Sequence, residues 1–181
     1  VRTQDLQDDW LLNHENTIYL PTAIENDSLP LMAAKLAYAR DRMPTNPILL
    51  YCRCDGGNVE EMLAICNLIQ QDGNVHGHLI GTCMSAGTTI WAACAKRFIY
   101  PKTMIGIHPC QWFASDVKYD RHKLNSLYDE FRAADVRSCE IYATASNRGC
   151  DWWLEQMDAR GDIKWFKPDQ LIELGMGVMI G

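Results

Sequence analysis

No apolar run in the sequence approaches the roughly 18 residues that a membrane-crossing helix needs. There is no CxxC pair and no HExxH stretch, so the usual spacings of a zinc site are missing. A G-x-x-x-x-G-K-[ST] loop is also absent, and with it the ordinary cradle for a nucleoside triphosphate. Positive charge is scarce: 17 Lys and Arg against 23 Asp and Glu leave a net charge of −6, with no basic patch. A nucleic-acid partner is therefore not expected. Linkers, low-complexity tracts and repeats of roughly 20 to 50 residues are lacking too. The opening stretch VRTQDLQDDW is polar and acidic, unlike a signal peptide or an Arg-rich transit peptide.

The chain has 181 residues, 48% of them hydrophobic and 22% charged. That is long enough to bury about 70% of the unfolded surface in one domain. One domain over 1–181 is expected, with 1–10 as a short N-terminal segment. The eight cysteines are scattered, most in apolar contexts such as Cys66, Cys94 and Cys139. This usage suits small buried hydrophobes in a reducing compartment better than a disulfide framework, so the cytoplasm or a reducing organelle interior is expected. Cys52 and Cys54 share one face of a strand, and a metal site can be drawn from them with His76 and His78. Without a metal-ligand spacing, core packing is the better reading, and neither metal nor cofactor is expected.

Strand-like and helix-like patterns alternate along the chain. TIYL is a short strand, and DSLPLMAAKLAYARDRM a helix with Ser28 as N-cap and Pro30 in its first turn. PILLYCRC reads as an apolar strand covered on both faces. DGGNVEEMLAICNLIQQDG gives a glycine turn and an amphipathic helix, with Asn58 and Glu61 spaced as a capping box, Val59, Met62, Leu63, Cys66 and Ile69 as its stripe, and Gly73 as its stop. A second unit repeats this plan: VHGHLIG is a strand, GTCMSAG a turn, TTIWAACA a helix. RFIY and MIGIH are short strands. A long helix is predicted from about Asp116 to Ser146, its apolar side marked by Leu124, Leu127, Phe131, Ala134 and Tyr142. CDWWLEQM and KPDQLIELG are shorter helices, the second closed by Gly175. This alternation predicts an α/β fold with right-handed crossovers.

Two glycine-containing turns, DGGNV and GTCMSAG, end consecutive apolar strands and open helices. Helix starts offer unpaired backbone N–H groups, and glycine lets a carbonyl approach them. Such donors stabilise an oxyanion in acyl transfer. Ser85 in the second turn needs a base to act as a nucleophile. His108, ending the MIGIH strand before Pro109, is the best candidate. His76 and His78 lie within a strand and His122 on a polar helical face. The turn is not the G-x-S-x-G elbow, since Cys83 stands where the first glycine would be.

In this order, CRCDGG, CMSAG, GIHPC and WFKPDQLIELG resemble the signatures of the ClpP family of ATP-dependent serine peptidases, within the ClpP/crotonase fold. The resemblance runs from about Leu11 to Ile180, nearly the whole chain. It implies ββα-superhelix units and a long helix in a handle region. It implies Ser85 as nucleophile, His108 as general base, and the backbone N–H groups of Gly57 and Ala86 as oxyanion hole. The family's acid precedes the last helix; strict register sets Ile163 there, a one-residue insertion brings in Asp162, and Asp158 is the fallback. After His108 the family's glycine-rich handle is missing, and Trp112 with Phe113 offers an apolar replacement or a cap for the long helix. The resemblance further implies unfolded polypeptide substrates, other ClpP-like subunits in a heptameric or tetradecameric ring, and a separate ATP-dependent unfoldase. Two alternatives stand beside it. One is a catalytically weak or inactive ClpP-like structural subunit of a mixed ring. The other is a crotonase-type enzyme, which acyl-CoA binding would reveal.

Overall fold

The computed structural model of the chain describes residues 15–111, 120–158 and 162–180. The strands are β1 (Thr17–Tyr19), β2 (Ile48–Cys54), β3 (Val75–Met84), β4 (Lys96–Ile99), β5 (Met104–Ile107), β6 (Lys164–Phe166) and β7 (Val178–Met179). The helices are α1 (Ser28–Arg42), α2 (Val59–Asp72), α3 (Ala86–Ala92), α4 (Arg121–Ala145), α5 (Cys150–Asp158) and α6 (Pro168–Glu173). The strand order is β1-β2-β3-β4-β7, with β5 on the far end of β3 and β6 on β5. Every pairing is parallel except β5 with β6. This is the α/β class that the alternation predicts.

Strand β3 explains how the sheet divides. Its first half, His76–Leu79, pairs with β4, while its end, Thr82–Met84, pairs with β5. The residues GTCM, predicted as turn, thus continue the strand up to Ser85. Residue 107 ends β5, so Ser85 and His108 each directly follow the last residue of a paired strand region.

Burial along β2 alternates: Ile48, Leu50, Cys52 and Cys54 are buried, while Leu49 and Tyr51 are half-buried and Arg53 is exposed. The apolar run therefore has one covered face, not two. Its other face carries an aromatic stack across four strands, from Tyr19 to Tyr51 (5.4 Å), His78 (4.9 Å) and Phe98 (4.8 Å) between ring centroids. Cross-strand ring pairs of this kind let a half-open face hold its shape. The covered face packs the core, with Met32, Ile65, Ile69, Leu79, Ile90, Trp91 and Trp153 all buried. All eight cysteines are free, and six are buried.

Local signals resolve in detail. Asn58 caps α2 by accepting from Glu61 N–H at 3.1 Å, but Glu61 Oε2 accepts from Leu29 N–H at 2.6 Å, so the reciprocal half of the capping box is spent on docking α1. Gly73 ends α2 in the left-handed region at φ 72°. The N-cap of α1 is Asp27, not Ser28, because the Ser28 hydroxyl accepts from Glu25 N–H at 2.8 Å in the turn before the helix. The described part of the long helix starts at Arg121, with Asp120 Oδ1 accepting from Lys123 N–H at 2.8 Å. Its predicted apolar side is exposed at Leu124 (52%), half-buried at Leu127 and Phe131, and buried from Ala134 onward. Residues 1–10, Trp112, Phe113 and the predicted helix start at Asp116 lie outside the described residues.

Candidate active site

Ser85, between β3 and α3, has φ 51° and ψ −124°. L side chains rarely adopt this conformation, at a cost of about 1–3 kcal/mol. Its main chain is tied on both sides. Ser85 N–H donates to Gly106 O at 2.9 Å, and Thr89 N–H donates to Ser85 O at 3.2 Å. The Thr88 hydroxyl lies 3.0 Å from both Cys83 O and Gly106 O, locking β3 to β5 just beneath the serine. The Ser85 hydroxyl itself caps nothing.

The other glycine turn lies against this serine. A Cβ on Gly56 (φ 100°) would sit 2.8 Å from Ser85 Cβ, and one on Gly57 (φ 140°) would sit 2.1 Å from Ile24 O. Ile24 clamps the turn: its N–H donates to Gly56 O at 2.8 Å, and its O accepts from Asn58 N–H at 2.7 Å. That parallel bridge leaves out Gly57 N–H, which donates to no backbone acceptor among the described residues. Ala86 N–H, on the first residue of α3, has no acceptor within its helix. Two main-chain donors are thus left over beside one hydroxyl.

His108 faces the same space. A cavity of about 20 Å³, lined by Ser85, Ala86, His108, Cys110, Asp135 and Tyr142 among others, has room for about one water. His108 Nδ1 lies 2.7 Å from Pro109 O. A carbonyl oxygen only accepts, so Nδ1 carries a proton, and in the neutral imidazole Nε2 is then the nitrogen with the lone pair. That is the tautomer a general base needs. Behind the cavity, the Thr89 hydroxyl donates to Ser85 O at 3.4 Å, so Tyr142 OH donates to Thr89 Oγ1 at 2.7 Å. Burial pushes the Tyr142 phenol well above its usual range, which keeps it a neutral donor.

The cavity brings Ser85, Ala86 and His108 together, with Gly57 on the adjoining turn. Asp162 does not join them: it is exposed, its Oδ1 accepts from Ile163 N–H at 2.7 Å, and it makes no hydrogen bond to His108. The β5–β6 register pairs Ile107 with Lys164; continued by one residue, it sets His108 against Ile163. Ile163 packs over Gly106, where an added Cβ would lie 2.8 Å from its Cγ2. Asp158 is committed elsewhere, paired with Arg132 at 3.0 Å. Cys52 and Cys54 lie on the covered sheet face while His78 stacks on Tyr51 on the open one, so these four side chains do not converge.

The sequence reading missed Asp135, 6% exposed on α4, whose Oδ1 accepts from Cys110 N–H at 2.8 Å. A signal existed: Ala134, Asp135, Ser138 and Tyr142 share the inner helical stripe, and a carboxylate inside such a stripe asks for a reason.

A family model described as Clp protease matches residues 2–161. The ATP-dependent Clp protease proteolytic subunit 1 of Nocardia farcinica (strain IFM 10152) is 28% identical over 97 residues, which cover 52% of this chain and 49% of that protein. The match thus spans about half the length of that relative. A mutant ClpP1 from Listeria monocytogenes has a similar fold, with a TM-score of 0.78 at 20% identity over 99% of this chain and 95% of that one.

Proposed function

The chain belongs to the Clp protease family, and from that premise we propose that it is a serine endopeptidase, the proteolytic subunit of a self-compartmentalised protease that cuts unfolded polypeptide. The observation that carries this reading is the shared cavity of Ser85 and His108 beside two unused main-chain donors. Ser85 Oγ attacks the scissile carbonyl carbon while His108 Nε2 takes its proton. The oxyanion is held by Gly57 and Ala86 N–H groups. As the C–N bond breaks, His108 returns the proton to the leaving amine. Water then attacks the acyl-enzyme, giving one proton to His108, and Ser85 Oγ recovers it on release. No step calls for a metal or organic cofactor.

Assembly and delivery belong to the same proposal. The open sheet face exposes Tyr19, Ile80 and Val178, and the outer half of α4 exposes Leu124 and Tyr128. Exposed apolar residues of this kind suit contact with further copies of the chain, in a heptameric or tetradecameric ring. With no triphosphate cradle of its own, the ring would receive substrate from an ATP-dependent unfoldase. Eight free thiols suit a reducing compartment such as the cytoplasm.

Hydrolysis of a quenched-fluorescent extended peptide by the assembled protein, with Ser85→Ala as control, tests the reading. Cleavage lost in the control supports it. A specific observation favours a second reading, a structural subunit of a mixed ring: Asp162 makes no hydrogen bond to His108. An assembled wild-type ring that cleaves nothing would establish that reading instead.

A further inference from the structure

One peptide unit joins the candidate base to a buried carboxylate. Pro109 O accepts from His108 Nδ1 at 2.7 Å. The N–H of that same peptide, on Cys110, donates to Asp135 Oδ1 at 2.8 Å. The carbonyl and N–H of a peptide share one conjugated plane and point in opposite directions. An anionic acceptor on the N–H polarises the unit, making its carbonyl a stronger acceptor and fixing where that carbonyl points. We propose that Asp135, acting through the Pro109–Cys110 peptide, is the positioning acid of His108, holding the imidazole as the Nδ1–H tautomer with Nε2 free for Ser85. This inference rests on the serine-peptidase reading above.

Three features single out Asp135. Its side chain is 6% exposed and lines the same cavity as Ser85 and His108. Neither Asp162, which accepts from Ile163 N–H, nor Asp158, which pairs with Arg132, is hydrogen-bonded to His108 or to the peptide after it. Finally, anchoring a loop amide needs only a neutral acceptor; an asparagine would serve, without the cost of burying a carboxylate. Arg132, one turn earlier on α4, is paired with Asp158 and also feels the Asp135 charge, while Cys110, pushed up to about 12 by burial and by Asp135 itself, stays a neutral thiol. Asp135 thus stands in the acid's role from a different element, one peptide removed.

Two variants separate charge from anchoring. Asp135→Asn keeps an acceptor for Cys110 N–H and removes the charge; Asp135→Leu removes both. A wrong imidazole tautomer lowers turnover by up to about 10⁴-fold. Acting through one peptide, the asparagine variant is expected to lower kcat about 10-fold and the leucine variant about 100-fold, KM staying within about twofold in both. Asp162→Asn is expected to lower kcat less than Asp135→Asn does. Long-range 1H–15N imidazole NMR on the wild-type protein needs no variant to fold, and the Nδ1–H form of His108 is expected. Folded Asp135 variants with wild-type kcat, or His108 found as the Nε2–H tautomer, would overturn the proposal and leave the peptidase reading standing. A wild-type ring that cleaves no peptide would overturn both.

Discussion

On the serine side of the cavity the proposed reacting groups are main chain or one atom from it, and glycine contacts fix them. On the base side they are side chains carried by a loop and a helix. The first side is built from β2, β3 and the starts of α2 and α3, where Gly56 touches Ser85 and Gly57 touches Ile24. The second depends on His108 beyond the end of β5, on a peptide after it, and on Asp135 from α4. The first side leaves little room for variation because a single methyl group would collide with backbone. The second side is open to rearrangement, since its groups come from separate elements joined by hydrogen bonds. On the proposed reading, this difference lets the serine turn stay fixed while the acid comes from another element.

The sharpest way to test that asymmetry is to remove the reacting atoms. Ser85→Ala is expected to lower kcat by about 10⁶-fold, and His108→Ala by a comparable factor, because residues acting as a unit fail together. Peptide turnover measured on matched, folded oligomers checks this. Next comes Gly57→Ala. Its Cβ would lie 2.1 Å from Ile24 O, so the Ile24 bridge must open and the oxyanion donor must move. A loss of roughly 10²- to 10³-fold in kcat is expected, together with a lower Tm in a thermal melt. On the base side, the effects of the Asp135 variants should fall below both. If Gly57→Ala were harmless and Asp135→Asn as damaging as Ser85→Ala, the asymmetry would be reversed.

How far the sequence spoke for each side follows from the same physics. GG and SAG are local signals: they demand a turn, a close approach and open donors, all within a few residues. Ser85 was therefore legible as a candidate and His108 as a strand-end base, while Gly57 and Ala86 were named through the family resemblance; the cap at Asn58 and the stop at Gly73 were legible too. The extension of β3 to Met84 was not, because GTC resembles a turn until β5 pairs with it. Strands β6 and β7, three and two residues long, carry too short a period to read. Asp135 was hidden for another reason. It lies far from His108 in sequence, and only the packing of α4 against the loop after β5 joins them. The one-covered-face character of β2 was masked by Leu49 and Tyr51, apolar residues that serve a half-open aromatic surface.

Smaller effects refine the base side and the open face. Burial first, then the Asp135 carboxylate, push the Cys110 thiol up to about 12, so its alkylation at pH 8 is expected to be slow. Removing the carboxylate in Asp135→Asn lowers that value and speeds alkylation by about two- to fivefold, measured by peptide mapping. On the open face, burial and the neighbouring His76 hold the pKa of His78 below the usual imidazole range, and its buried ring nitrogens have no hydrogen-bond partners among the described residues. The sign follows from linkage: the depressed folded pKa contributes stability above about pH 6.5 that is lost as pH falls through it. His78→Phe keeps the stack between Tyr51 and Phe98 and removes both unpartnered atoms. Acid unfolding followed by tryptophan fluorescence is expected to shift to lower pH, with stability at pH 8 unchanged or raised.

The central claim is that Ser85 is an activated nucleophile. Intact-mass measurement after incubation with a serine-reactive fluorophosphonate, on the assembled oligomer with Ser85→Ala beside it, tests this most directly. The account predicts a single adduct on each wild-type chain and none on the variant. An unlabelled wild-type ring, or an adduct that survives in Ser85→Ala, would contradict it.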